Sequence, residues 1–333
     1  MLDSKVKIVR FHEVGGPEVL QLDEMSLPEP KKGEVRLRVK AIGLNRAEVM
    51  FRRGNYLVQP HLPSNIGYEA SGIVEAVGTD VDKNIIGHKF STVPCFDVGK
   101  YGVYGEVAIV PAYALAAYPE KLSFSEATSI WMQYLTAYGA LIHFGKMTKE
   151  DYVLITAASS SVGIAAIDIV RDQGAVSIAV TRRRSKKEEL LSLGANHVIA
   201  TDDEDLVAQV NKITGGKGAR IIFDPIGGQG LNKLAEAAAQ EGIIFEYGAL
   251  APEPTPFPLS IALSKGLTIR GYTLFELVAN PQSRAQAEKY VFDRLQKGVF
   301  KPKIARTFEL DHIVDAHRYM ESNEQIGKIV VTV

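Results

Sequence analysis

Polar and apolar positions keep one rhythm through the first third of the chain and another after it. Residues 5–11 alternate polar and apolar, and so do residues 34–40, where Val35, Leu37 and Val39 fall on one face of a strand. Gly15-Gly16-Pro17 and the run from Pro28 to Gly33 between them are turn chemistry. Residues 71–77 and 105–110 are further short strands punctuated by glycine, so this part reads as a compact, largely β domain. From Ser123 the period lengthens. Residues 123–140 are a predicted helix, with Ser123 as the cap and Glu126 at capping-box spacing. Apolar runs of buried-strand type at 152–156, 175–180, 219–223 and 242–247 then alternate with helical segments that begin near Val162 and cover 206–213 and 230–239.

Such alternation implies a parallel sheet covered on both faces, and right-handed crossovers make it a doubly wound α/β fold with ligands outside the carboxyl ends of the strands. Pro252, Pro254, Pro256 and Pro258 are spaced so that no helix runs through them. Residues 267–271 read as one more strand of the sheet, 274–296 as helix and 328–333 as a final strand. The expected organisation is a β domain over 1–124, completed by 272–333, with the doubly wound domain inserted as 125–271.

The stretch YVLITAASSSVG, Tyr152 to Gly163, is a strand, a turn of small residues and a helix start. The first N–H groups of a helix lack internal partners and its dipole favours negative charge, so Ser159, Ser160, Ser161, Val162 and Gly163 are candidates to hold a phosphate. The dinucleotide fingerprint GxGxxG is degraded here to Ala157, Ser160 and Gly163, and an ordinary strand-to-helix turn would read the same way. The second strand ends in Thr181-Arg182-Arg183-Arg184-Ser185-Lys186-Lys187. An acid at this point would bind the ribose of NAD, whereas arginine accommodates the extra phosphate of NADP. A basic run can also be a solvated helix face. Ser185 and Glu188, however, have capping-box spacing, which would put five cations at a helix N-terminus, where they oppose the dipole unless an anion compensates. Thr181, Arg182 and Lys186 are therefore assigned to an NADP 2′-phosphate, with Arg183 or Arg184 assisting.

The chain has 333 residues, 46% hydrophobic, enough for a large core and about two domains. A net charge of −1 supplies no global attraction for nucleic acid or an anionic membrane. The single cysteine, Cys95, excludes an intramolecular disulfide and a multi-cysteine metal site. No apolar signal core or bilayer-length stretch is present, and a cytoplasmic protein is expected.

A set of motifs runs through nearly the whole chain: Gly43-Leu44-Asn45, Arg53-Gly54-Asn55-Tyr56, Gly67-Tyr68-Glu69-Ala70-Ser71-Gly72, Leu135-Thr136-Ala137-Tyr138, Ala157 to Gly163, Phe223-Asp224-Pro225-Ile226-Gly227-Gly228, and Gly327-Lys328-Ile329-Val330. In this order and spacing the sequence resembles the medium-chain dehydrogenase/reductase superfamily, specifically its zinc-independent, zeta-crystallin-like quinone oxidoreductase branch. The resemblance implies a Rossmann domain inserted in a chaperonin-10 (GroES)-like β domain, and a homodimer paired through Rossmann edge strands such as 267–271. Zinc alcohol dehydrogenases of the superfamily carry cysteine where Asn45 stands and histidine where Tyr68 stands, so no metal site is expected. Ser160 replaces the middle glycine of the family's AxxGxxG turn, and Met50 stands where some members have tyrosine.

Without a Lewis acid, hydride chemistry turns toward acceptors whose own conjugation spreads the charge, namely quinones and α,β-unsaturated carbonyls, with NADPH as the cofactor. Tyr56 resembles the proton-donating tyrosine of related enoyl thioester reductases, and a phenol remains a donor at pH 7. Asn45 offers a neutral amide donor. By resemblance Thr136 approaches the nicotinamide or its phosphates, and Lys328 lies near the cofactor. Gly248, Ala249 and Leu250 follow a predicted strand end beside the nicotinamide, and His197 and Asp224 are candidates to flank the adenosine half. The bland readings are an interface tyrosine for Tyr56, a turn hydrogen bond for Asn45, helix back-bonding for Thr136 and a solvated strand start for Lys328. The leading expectation is an NADPH-dependent reductase of quinones or activated alkenes. The alternatives are an enoyl thioester reductase and a non-catalytic NADPH-binding protein.

Overall fold

In the computed structural model, which describes residues 5–333, the chain divides into two units: one runs up to Met132 and resumes at Pro302–Val333, the other is Gln133–Lys301. The first unit is built on antiparallel strands. Lys5–Phe11 pairs with Leu20–Ser26 and with Ser64–Asn65. A larger sheet runs in the order Ile304–Glu309, Lys328–Thr332, Glu34–Gly43, Glu69–Val77, Lys89–Thr92, Leu115–Ala116, with Val107–Pro111 also pairing on Glu34–Gly43. The alternation in residues 34–40 puts Val35, Leu37 and Val39 inside, each 1% exposed or less.

Between them, two helices, Arg46–Arg52 and Ile313–Ser322, are locked by a buried cation. The Arg52 guanidinium donates to His317 Nδ1 at 2.6 Å, to Glu321 Oε1 at 2.6 Å and to the Gly15 carbonyl at 3.1 Å. Burial and the Arg52 charge hold the His317 imidazole well below its ordinary pKa, so it accepts as a neutral ring.

The second unit is a six-stranded parallel sheet in the order His197–Ala200, Val176–Thr181, Tyr152–Ile155, Ala219–Asp224, Ala238–Glu246, Thr268–Gly271. This is the doubly wound order, and it reverses between Tyr152–Ile155 and Ala219–Asp224. Leu154, Ile178, Ile199, Ile222 and Ile244 pack into one core with Leu231 and Leu234 of the helix Gly230–Ala237. These strands were recognisable as apolar runs because both faces of a parallel sheet are covered.

Three boundaries differ from expectation. The predicted helix 123–140 is broken: Phe124–Ala127 carries the anticipated Ser123–Glu126 capping box, and a second helix, Trp131–Tyr138, continues as a π-helical turn over Gly139–Phe144. The predicted helix 274–296 is two, Leu274–Val278 and Pro281–Gln296; Pro281 opens the second behind an Asn280 cap. That second helix belongs to the doubly wound unit, not to the β domain as assigned. Tyr134 stacks on Phe300 with centroids 4.8 Å apart, and both Tyr290 and Arg294 hydrogen-bond Asp172 Oδ2 at 2.7 Å. Sequence pattern reveals that such a helix exists but not which sheet its apolar face meets. The strand Ile304–Glu309 was not anticipated, and it pairs in parallel with Lys328–Thr332. Among the described residues no helix is long and apolar enough to cross a membrane.

Candidate functional site

The carboxyl edge of the parallel sheet gathers most of the expected cofactor residues. Ser160 caps the helix Ser161–Asp172, its Oγ accepting from the Gly163 N–H at 3.0 Å. The backbone turns into it through Ala157 at φ +44°, and a side chain on Gly163 would fall 2.6 Å from the Ala158 backbone, so helix and turn pack too closely for anything larger. The N–H groups of Ser159, Ser161 and Val162 have no protein partner among the described residues. Lys186, 8% exposed, donates from Nζ to Ser159 Oγ at 3.1 Å, so a buried ammonium is aimed at this turn. Helix N–H groups and a cation converging on one concave turn fit a phosphate. Thr181 ends its strand, buried, and Arg182, Arg183 and Arg184 follow it, exposed.

The capping box foreseen at Ser185 and Glu188 does not form. Ser185 sits inside a 3-10 turn, Arg184–Lys186, and the helix Lys187–Ser192 begins without a side-chain cap. Nor do all five cations await an outside anion: Lys187 Nζ is paired with Glu204 at 2.8 and 3.0 Å, and Glu204 is held below its ordinary pKa first by the Ala200 N–H and then by Lys187. His197 is also corrected. It begins its strand opposite Ile178, while Thr181 opposite Ala200 marks the carboxyl end, so His197 lies about 10 Å away at the amino edge of the sheet. A run of four apolar-flanked residues does not disclose which end of its strand will face the ligand.

Gly248, Ala249 and Leu250 do lie at the carboxyl edge. Leu250 N–H bonds the Pro225 carbonyl at 3.1 Å, and a Cβ on Gly248 would come within 2.6 Å of that same oxygen. Beneath them Asp224 accepts from Thr156 Oγ1, from Gly227 N–H at 2.7 Å and from Ile226 N–H at 3.2 Å. Burial, and then the Asp224 charge, raise the Glu246 carboxyl above its ordinary pKa. Thr136 is buried in the helix Trp131–Tyr138.

In the first unit, Asn45, Tyr56, Tyr68, Glu69 and Lys328 come together around a residue that sequence reasoning passed over, Glu48. Asn45 caps the helix Arg46–Arg52. Fully buried, Glu48 accepts from Asn45 N–H at 2.5 Å, Tyr104 hydroxyl at 2.8 Å, Tyr68 N–H at 3.0 Å and Asn45 Nδ2 at 3.2 Å. The signal was available: Asn45 and Glu48 have capping-box spacing. Asn45 Nδ2 also donates to the Gly43 carbonyl at 3.2 Å, and its Oδ1 accepts from Lys328 Nζ at 2.6 Å. Both amide hydrogens of Asn45 are thus engaged, and a substrate oxygen would have to displace Glu48 or Gly43 to use them.

Lys328 is neither a solvated strand start nor exposed to a phosphate. Its side chain is fully buried and ion-paired to Glu69 Oε2 at 2.5 Å, while Glu69 Oε1 takes the Met132 N–H at 2.8 Å. Tyr56 is half-buried, its ring edge-on to Phe51 and Tyr68 at 6.4 and 6.5 Å. Burial pushes both the Tyr56 and the Tyr68 phenol above their ordinary pKa.

An amide, a phenol and a carboxylate already spent on an ammonium do not fit a zinc ion, which needs thiolate, imidazole or free carboxylate ligands. Among the described residues no group of three or more histidine, cysteine, aspartate or glutamate side chains is placed to hold a metal.

Residues 31–120 match the alcohol dehydrogenase GroES-like domain family and residues 161–289 the zinc-binding dehydrogenase family. The synaptic vesicle membrane protein VAT-1 homolog of Danio rerio is 32% identical over 96% of this chain and 68% of its own. A 2-haloacrylate reductase of Burkholderia sp is 30% identical over 96% and 97%. The Escherichia coli quinone oxidoreductase complexed with NADPH superposes with a TM-score of 0.92 at 28% identity, covering 98% of this chain and 100% of that one. The chain belongs to the zinc-independent quinone oxidoreductase branch of the medium-chain dehydrogenase/reductase superfamily. It is an oxidoreductase, with the GroES-like domain and the Rossmann sheet of that branch.

Burial pushes the Glu48 carboxyl up to about 7, against the opposing Lys328 charge, from an ordinary 4.5. A carboxyl raised on folding contributes stability that is complete below pH 4.5 and lost as pH rises through about 7. Glu48→Gln is therefore expected to flatten the fall in unfolding free energy between pH 4.5 and 8, read from urea titrations, by on the order of 3 kcal/mol. Asp168 and Glu246, also raised, are common to both proteins and cancel in the difference. Parallel curves for the two proteins would refute the assignment.

Proposed function

We propose that this protein is an NADPH-dependent reductase that delivers hydride to a quinone or to the activated C=C of an α,β-unsaturated carbonyl, without a catalytic metal. The observation that carries the reading is the phosphate-ready turn Ser159–Gly163 with Lys186 aimed into it and Arg182, Arg183 and Arg184 following the second strand. The dinucleotide pyrophosphate would take the N–H groups of Ser159, Ser161 and Val162, and its 2′-phosphate the arginines. When bound, the dihydronicotinamide supplies the hydride, which is chemistry that no side chain here can provide. Ser160 stands where the family has glycine; its hydroxyl is committed to Gly163 N–H and stiffens the helix start.

In the first unit Tyr56 is the group able to give a proton. As hydride reaches the β-carbon of an enone, the electron pair moves to the carbonyl oxygen, and the Tyr56 hydroxyl hydrogen-bonds that oxygen and supplies a proton, giving an enol that tautomerises to the saturated carbonyl. A conjugated acceptor suits a site without a Lewis acid, since its own π system spreads the charge. Leu57, Val58 and Leu62 are exposed beside Tyr56 and favour an apolar acceptor. Asn45 and Lys328 are better read as the frame that holds this region than as groups that touch substrate or cofactor. A cytoplasmic homodimer belongs to the same reading, with the edge strand Thr268–Gly271 and the exposed Phe257, Leu259 and Leu263 as its contact face.

NADPH is expected to bind at least about tenfold tighter than NADH, and Arg182→Ala to remove most of that difference by weakening NADPH alone; equal affinities in a fluorescence titration would refute the 2′-phosphate site. Tyr56→Phe is expected to lower turnover on an enone about 100-fold with NADPH affinity unchanged, measured by loss of NADPH absorbance across quinones, enones, haloacrylates and enoyl thioesters. Dialysis against a chelator is expected to leave activity intact, and recovery only on adding zinc would overturn the metal-free reading.

A further inference from the structure

At the edge of the larger sheet of the first unit, a cleft of about 490 Å³ opens between the strand Ile304–Glu309 and the helix Ile313–Ser322. Its apolar wall is a pair of half-buried rings, Phe308 and Tyr319, with centroids 5.9 Å apart at 49°. The Arg306 guanidinium lies over both, 4.8 Å from the Phe308 centroid and 5.1 Å from that of Tyr319. The rings attract its charge and leave its N–H donors unspent: among the described residues Arg306 has no hydrogen bond or ion pair.

Neighbouring carboxylates do not cancel that charge. Side chains alternate along a strand, so Arg306 and Phe308 share the face that meets the helix, while Thr307 and Glu309 project to the other. Asp315 lines the cleft from the helix, but its Oδ1 accepts from Arg318 at 3.1 Å and its Oδ2 lies 3.5 Å from His312 Nδ1. Arg306 is the charge left over. Thr307, Val330, Gly43 and Glu69 lie in register across four strands, which sets the cleft about 14 Å from Glu69, at the far edge of the sheet from Tyr68.

We propose that this cleft is a second binding site of the protein, for a small carboxylate with a flat apolar body. The carboxylate takes two N–H donors of Arg306 side by side, and the body lies along Phe308 and Tyr319. A guanidinium fork matches the two oxygens of a carboxylate, and a fork already held on two rings loses little freedom in pairing. The volume is that of an ordinary small-molecule pocket, with an apolar wall and one fixed polar group to set orientation. A compact dianion such as phosphate has nothing to lay on the rings and meets Asp315. The site takes no part in hydride transfer and asks nothing of the cofactor.

The test uses 2-naphthoate, which is flat and carries no activated alkene to reduce, against the neutral 2-naphthamide, each titrated calorimetrically into the full chain with and without NADPH. Naphthoate is expected to bind about tenfold tighter than the amide, and Arg306→Gln to erase that difference with thermal midpoint and NADPH affinity unchanged. Phe308→Leu should weaken both probes. Equal affinity for the two probes, or an Arg306→Gln protein that binds naphthoate as before, would overturn the inference. Displacement of naphthoate by NADPH would also overturn it, because the probe would then occupy the nucleotide site. Displacement by an equal concentration of inorganic phosphate would do the same, because the site would then be one for phosphate.

Discussion

A lysine ammonium buried without water is costly unless a carboxylate meets it, and the Lys328–Glu69 pair is the point from which the first unit is arranged. Lys328 opens the last strand and Glu69 opens a strand 259 residues earlier, so the pair binds the end of the chain to the sheet at its beginning. The ammonium also takes the Asn45 amide oxygen, which turns the rest of that amide toward Glu48. Glu48 in turn fixes the backbone of Tyr68 and the hydroxyl of Tyr104. Removing either partner of the ion pair would leave an uncompensated charge at the head of this series, whereas in its intact form the ammonium meets both the Glu69 carboxylate and the Asn45 amide oxygen.

The second unit solves a different electrostatic problem with similar means. Its sheet presents a helix N-terminus, and its cations are graded by burial: Lys186 is inside and directed at Ser159, Lys187 is neutralised by Glu204, and Arg182, Arg183 and Arg184 remain in solvent. The Lys186 ammonium, buried beside the Ser159 hydroxyl, would meet an incoming phosphate with less solvent screening than an exposed arginine does. The exposed guanidiniums suit selectivity between two dinucleotides, since their planar donors match an extra phosphate geometrically.

The positions that hold thiolate and imidazole in zinc enzymes have become an amide and a phenol, and this is more than the loss of ligands. Asn45 is a helix cap whose amide spans Gly43, Glu48 and Lys328, and Tyr68 belongs to an aromatic series with Phe51, Tyr56 and Phe96. Each substitution is supported by neighbours that would be wrong for a metal: the carboxylate of Glu69 faces an ammonium, and the ring of Tyr68 faces apolar partners. The two changes are consistent with one another, which is the mark of a site rebuilt for another chemistry.

Much of this was legible in order along the chain. The alternation of residues 34–40, the apolar strands of the doubly wound sheet, the capping box at Ser123 and the turn at Ser159–Gly163 all depend on neighbours within a few residues, which is the range over which strand and helix periodicity operates. The spacing of Asn45 and Glu48 was equally local and was overlooked. What no local pattern could reveal is where elements meet. The helix Pro281–Gln296 joined the doubly wound unit because Tyr290 and Arg294 reach Asp172; His197 fell at the far edge because register, not composition, orients a strand; and Lys328 went inside because Glu69 was there to meet it. Amino-acid order by itself determined most of the elements and the strand, turn and helix start at residues 152–163. Tertiary structure alone decided which polar groups are spent on one another and which, like Tyr56, are left available, because that depends on partners hundreds of residues apart.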